Sequence, residues 1–162
     1  MWQKKAKSHI IKIGGDIMLF KQNECKKIVD TGGKPLVLDM NEASSCNTNY
    51  RTALWTGKYL QTTLMNIVVG GDIGLEVHEN TDQFILAVDG NGVTIMGENQ
   101  SNLNIKKSIQ SGYGIYVPAG YYHNIINTGN QPLKLISTYA PVEHPFGTVH
   151  ASKEIAEQME KY

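Results

Sequence analysis

Gly112-Tyr113-Gly114-Ile115-Tyr116-Val117-Pro118-Ala119-Gly120-Tyr121-Tyr122-His123-Asn124-Ile125-Ile126-Asn127 is the stretch that decides the fold. Two runs of β-branched and aromatic residues flank Pro118-Ala119-Gly120. Proline presets φ for a turn and glycine tolerates positive φ, so one strand ends there and the chain returns on the next. On the returning strand His123, Ile125 and Asn127 share a face by alternation. Asn127 stands at the start of an Asn-Thr-Gly-Asn turn that its side chain can tie off.

Outward from this pair, Gly and Asn/Asp-Gly steps separate short runs rich in Val, Ile, Leu, Thr and Tyr, the pattern of many short strands. Strands are expected at 36–40, 59–69, 75–78, 83–89, 93–96, 104–109, 114–117, 122–127 and 133–139, giving a largely antiparallel all-β protein. Asp89-Gly90-Asn91-Gly92 reads as a hairpin turn. Gln83-Phe84-Ile85-Leu86-Ala87-Val88 is apolar on both faces and needs two covers. A closed barrel or two-sheet roll supplies one, and the N-terminal segment or a second subunit the other, so a homodimer is expected. Ser152 to Lys161 reads as a C-terminal helix with Ser152 as N-cap and Ile155 and Met159 as a stripe packed on the barrel. The chain thus divides into a lysine-rich, turn-rich extension or arm (1–33), a β-barrel (34–150) and a helix (151–162).

At 162 residues the chain is one domain in size, and 41% hydrophobic with 19% charged residues is enough to build a core. Fifteen basic residues balance fifteen acidic ones, and Arg51 is the sole arginine. That charge pattern argues against a nucleic-acid groove or an anionic membrane surface. No span of about 20 apolar residues or secretory h-region is present. Cys25 and Cys46 lack CxxC spacing and read as free thiols in a reducing cytoplasm.

Glu76 and His78 are two residues apart, so on a strand they point to one face. An unpaired carboxylate inside a barrel is strongly unfavourable, so Glu76 requires a cation partner or a water-filled mouth.

The stretch 112–127 fits G-x5-P-x-G-x2-H-x3-N at every defined position and resembles the second motif of the cupin superfamily. The first cupin motif, G-x5-H-x-H-x(3,4)-E-x6-G, registers upstream with its last glycine at Gly90. This puts Gln83 at the glutamate position, His78 at the second histidine, Glu76 at the first and Gly70 at the opening glycine. Both replacements still offer oxygen ligands. The resemblance implies a single cupin-type double-stranded β-helix, or jelly-roll, barrel, with a divalent metal held by Glu76, His78, Gln83 and His123. Zinc is the foremost ion, and iron, manganese, nickel and cobalt suit the same donors. From Lys34 onward the chain is similar to small single-domain cupins described as mannose-6-phosphate isomerase-like.

That likeness implies a small-molecule substrate, a sugar or sugar phosphate, isomerised through an enediol. Such chemistry needs a Lewis acid on two adjacent oxygens and a base near the carbons. His144, Glu143 and Asp82 are the candidate bases, with His144 and Glu143 preferred because Pro141 and Pro145 bracket them in a segment able to cover the mouth. Arg51 is the candidate phosphate contact, and Tyr121 is expected to line the pocket. Two alternatives stand beside this reading: a metal-dependent dioxygenase, and a non-enzymatic sensor or binding module for a small polar ligand.

Overall fold

The computed structural model describes residues 9–13, 16–20, 25 and 27–159; the rest of the N-terminal extension and the end of the C-terminal helix lie outside the described residues. In chain order the elements are β1 (His9–Ile13), β2 (Asp16–Phe20), α1 (Met40–Cys46), β3 (Arg51–Thr56), β4 (Gln61–Ile67), β5 (Asp82–Asp89), β6 (Asn91–Gly97), β7 (Ile105–Gln110), β8 (Gly114–Val117), β9 (Tyr122–Asn127), β10 (Leu133–Ala140), β11 (Val149–His150) and α2 (Lys153–Met159). Six strands form one sheet in the order β11-β3-β4-β10-β5-β8, and three form a second in the order β7-β6-β9. β1 and β2 pair antiparallel as a two-stranded sheet. Every ladder in the two larger sheets is antiparallel.

Alternation gives the central strands of the large sheet one inner face, and along the strand direction that face divides into two halves. On one side Met65, Leu135 and Ala87 stand on one rung and Ile67 and Leu133 on the next, and these join Ile85, Ile109, Ile115, Val117 and Ile125 in the main core. Each of these Leu, Ile, Val and Met side chains contributes about 1.5–3 kcal/mol by leaving water. On the other side the rungs are Gln61, Tyr139 and Gln83, then Thr63 and Ser137, all buried. The barrel therefore has an apolar end that holds it together and a polar end that is free to hold a site.

The apolar outer face of the strand pattern is also explained. Leu64, Ile136 and Leu54 form a second cluster against which Leu86, Val88, Ile28, Met40 and Ala43 pack. The segment preceding β3 thus supplies part of the second cover expected for β5. Beyond it Phe84 rests on Tyr116 of the edge strand β8, ring centroids 4.8 Å apart.

Several local expectations are corrected. Residues 36–40 form no strand, because Asp39 accepts hydrogen bonds from the Asn41 and Glu42 amides and so caps α1. The 75–78 segment is reduced to a single bridge, Glu76 to His123. Asp89–Gly92 is not a hairpin: β5 pairs with β10 and β8, and β6 with β7 and β9, so the turn carries the chain between sheets. Gly90 is required there, with φ at +86° and the Pro132 oxygen 2.7 Å from where a Cβ would stand. Ser152 does cap α2 through the Ile155 amide, but Ile155 and Met159 are exposed and the buried residue is Ala156. Lys153 fastens that short helix to Asp72.

The thiols are corrected as well. Cys25 and Cys46 form a disulfide with Cα atoms 5.4 Å apart. A 21-residue separation matches no short motif, and the pair meets because α1 and the chain before β3 both pack over the outer cluster. Among the described residues no helix is long and apolar enough to cross a membrane.

Candidate metal centre

Three side chains meet at the polar end of the barrel. Glu76 and His123 are opposed through two main-chain hydrogen bonds, each amide donating to the other's carbonyl at 2.9 Å. His78 lies two residues on, its carbonyl fixed by the Gly120 amide at 2.9 Å. The Pro118–Gly120 turn, with Gly120 at φ +80°, thus both returns the chain to His123 and anchors the segment carrying His78. One ligand-capable atom from each of Glu76, His78 and His123 falls within 4.8 Å of the others.

The histidine partners set the tautomers. His78 Nδ1 stands 3.0 Å from Glu143 Oε1, and His123 Nδ1 stands 3.3 Å from the Tyr121 carbonyl oxygen. Both partners accept only, so in the neutral rings Nδ1 carries the proton and Nε2 a lone pair. The two Nε2 atoms are buried with no hydrogen-bond partner among the described residues, at 3.6 and 3.9 Å from Glu76 Oε2. Two nitrogen lone pairs and a carboxylate oxygen converge on one point, an arrangement that a cation satisfies and that the protein's own hydrogens do not. The cluster can therefore hold a metal ion, and its donors suit a borderline divalent cation.

The electrostatics agree. Burial opposes the charge on Glu76, but the nearby His78 imidazole, then the Arg51 charge and His123, outweigh it and hold the carboxyl below its ordinary range. Arg51 is 1% exposed, and its Nη2 donates to Glu76 Oε1 at 3.2 Å. This is the cation partner Glu76 requires, and it leaves Oε2 turned toward the imidazoles. Burial lowers His78, but Glu76 and Glu143 reverse the sign and raise it. Burial lowers His123, with Glu76 offsetting only part.

Gln83 lies on the inner face of β5; its amide donates to Ser137 Oγ at 2.7 Å, and its Oε1 is buried without a partner among the described residues. His144 is buried, clamped through its main chain to Gln61, whose amide donates to the His144 carbonyl at 2.8 Å and accepts from its amide at 2.9 Å. Its ring sits edge-on to Tyr139, 5.0 Å between centroids, and Tyr139 is edge-on to His78 at 5.6 Å. Burial and the nearby Arg51 charge lower the His144 pKa to about 3.

The other candidates take different places. Asp82 Oδ1 accepts from the Ala119 amide at 2.9 Å and braces the Pro118 turn. The Tyr121 hydroxyl donates to Glu98 at 3.0 Å, so toward the cluster this residue offers its carbonyl. Gln61 was not foreseen: an isolated glutamine in an apolar–threonine strand carries no signal of a partner 83 residues away.

Comparison with known proteins agrees with this geometry. Residues 63–139 match the Cupin domain family. The uncharacterized protein YrkC of Bacillus subtilis (strain 168) is 48% identical over 140 residues, 86% of this chain and 75% of its own. The crystal structure of BH2720 from Bacillus halodurans superposes with a TM-score of 0.80 at 48% identity, covering 81% of this chain and 99% of that one. An RmlC-like cupin from Shewanella frigidimarina NCIMB 400 shares the fold at 18% identity and a TM-score of 0.50, over 58% of this chain and 77% of its own. With two antiparallel sheets rolled around a His/His/Glu cluster on the altered motif spacing, and a relative half identical over most of its length, this chain belongs to the cupin superfamily.

Proposed function

We propose that the protein is a metal-dependent cupin acting on a small hydroxy-carbonyl compound of the sugar class, with proton transfer between adjacent carbons as its reaction. The observation that carries this reading is the pair of buried imidazole Nε2 atoms, turned with Glu76 Oε2 on one point. Glu76, His78 and His123 hold the ion, with Gln83 Oε1 as a neutral fourth donor and zinc as the foremost metal. Such an ion, when bound, supplies a Lewis acid for a hydroxyl–carbonyl pair.

The remaining work falls to the chain's own groups. His144 stays uncharged at neutral pH and keeps a lone pair, but burial and the Arg51 charge that lower its pKa to about 3 make it a weak acceptor, so its role as base requires that negative charge on the bound substrate raise that value toward the working pH. Engagement of Arg51 with Glu76 supports an unphosphorylated substrate over a phosphate ester. A homodimer belongs to the same proposal, with Tyr116 beside Phe84 on the edge of the large sheet, exposed among the described residues, as support.

Two imidazoles with one carboxylate are also the donor set of non-haem iron oxygenases, and that match favours oxygen chemistry as the second reading. The test is to quantify the metal in purified protein, then assay isomerisation of mannose and mannose 6-phosphate alongside oxygen uptake. Expected are one ion per chain and aldose–ketose interconversion, with His123→Ala losing metal and turnover together and His144→Ala keeping the metal while turnover falls ~10²–10⁴-fold. Metal-loaded protein that consumes oxygen and isomerises no aldose would replace the first reading with the second.

A further inference from the structure

The two imidazoles of the cluster are held by unequal partners. His123 Nδ1 meets a neutral carbonyl at 3.3 Å, whereas His78 Nδ1 meets the carboxylate of Glu143 at 3.0 Å. Charge-assisted hydrogen bonds are roughly twice as strong as neutral ones. A carboxylate on the far nitrogen fixes the tautomer, orients the ring and raises the basicity of the nitrogen left for the ion.

Glu143 is also unlike the other members of the cluster in its mounting. It sits 65 residues from His78 in the chain, on the loop between β10 and β11. That loop leaves β10 at Ala140, which pairs with Asp82, and is fastened again just after Glu143: the Gln61 side chain bonds both the carbonyl and the amide of His144, the Gly147 amide donates to Asp30 Oδ2 at 3.0 Å, and the Thr148 carbonyl accepts from the Ala53 amide at 2.8 Å. Three anchors on a loop with no ladder of its own between residues 141 and 148 place one side chain, and Glu143 is the residue that reaches the cluster.

We propose that Glu143 is a positioning residue of the metal centre, which holds His78 with Nε2 toward the ion and makes metal retention depend on how the loop is anchored. This rests on the reading of Glu76, His78 and His123 as a metal centre, and it gives Glu143 a role distinct from proton transfer to substrate.

Two measurements on the full chain decide it. Zinc affinity is measured by competition with a chromophoric chelator for wild type, Glu143→Ala, Glu143→Gln and Glu79→Gln, the last removing an equal charge from an exposed neighbour of His78. Glu143→Ala should bind zinc ~10–100-fold more weakly, Glu143→Gln should fall between because its amide oxygen still accepts from Nδ1, and Glu79→Gln should stay within about twofold of wild type by the small effect of exposed charges. Imidazole nitrogen shifts of the metal-free protein, recorded at a pH where His78 is neutral, should show the Nδ1–H tautomer in wild type and a shift toward the mixed tautomers in Glu143→Ala. Unchanged tautomer in Glu143→Ala overturns the proposal, as does zinc affinity in that variant equal to wild type. Wild-type protein that takes up no zinc would remove the metal reading, while the tautomer comparison still decides whether Glu143 holds His78.

Discussion

Asn127 shows how much one residue of the second motif does. Its side chain is buried, and its amide donates to the carbonyls of Ile67 at 2.9 Å, Val68 at 3.1 Å and Gln131 at 2.9 Å, while its oxygen accepts from the Gly129 amide at 2.9 Å. One side chain thus joins the end of β4, the end of β9 and the turn into β10. Asn127→Ala leaves buried carbonyls and an amide unsatisfied, each worth about 1–3 kcal/mol. The expected loss is about 3 kcal/mol, read as a midpoint lowered by roughly 6–12 °C in a thermal melt, with the three-residue cluster intact in the fraction that stays folded.

At the scale of elements, the segment 71–78 replaces a regular strand by anchoring at intervals along β9. The Asn127 amide donates to the Gly71 carbonyl at 2.9 Å, the Ile73 amide to Ile125 at 3.1 Å, and Glu76 and His123 exchange their pair. Asp30 does comparable work between elements distant in sequence: it accepts from Thr56 Oγ1 at 2.5 Å, Gly32 at 2.9 Å and Gly147 at 3.0 Å. Burial opposes its charge, but those hydrogen bonds outweigh it and lower its pKa. A lowered folded-state pKa means stability that is present above the ordinary carboxyl value and lost as pH falls through the folded one. Asp30→Ala should therefore unfold more readily than wild type at pH 7, and the gap in urea midpoint should close as pH drops below about 4. A gap that is constant from pH 7 to pH 3 would remove the charge from this account.

At the scale of the whole molecule, the cover on the outer face of the large sheet that the described residues supply lies at one end, from Ile28, Met40 and Ala43. The Cys25–Cys46 bond closes that cover into a loop, and tying off a loop of this length stabilises by about 3 kcal/mol through the unfolded chain. Cys46→Ser, compared with oxidised wild type, should melt roughly 6–12 °C lower. The other end leaves Tyr116 75% exposed on an edge strand, a surface suited to a second copy. Sedimentation at micromolar concentration should return twice the monomer mass, and Tyr116→Lys should lower it; a monomer in wild type would reject the dimer.

Much of the site was legible in the chain because its parts are local. Pro118 and Gly120 make the turn, alternation places His123 with Asn127, and a two-residue step keeps Glu76 and His78 on one side even where the expected strand shrinks to one bridge. Periodicity and turn chemistry act between neighbours, so a sequence states them directly. The partners of those residues were not legible. Arg51 meets Glu76 across 25 positions, Glu143 meets His78 across 65 and Gln61 meets His144 across 83. Likewise the disulfide and the passage of Asp89–Gly92 between sheets depend on which elements pack together. Such contacts are selected by the closing of the two sheets, where burial forces each polar group to find whatever partner the packing brings, and no local pattern encodes that choice.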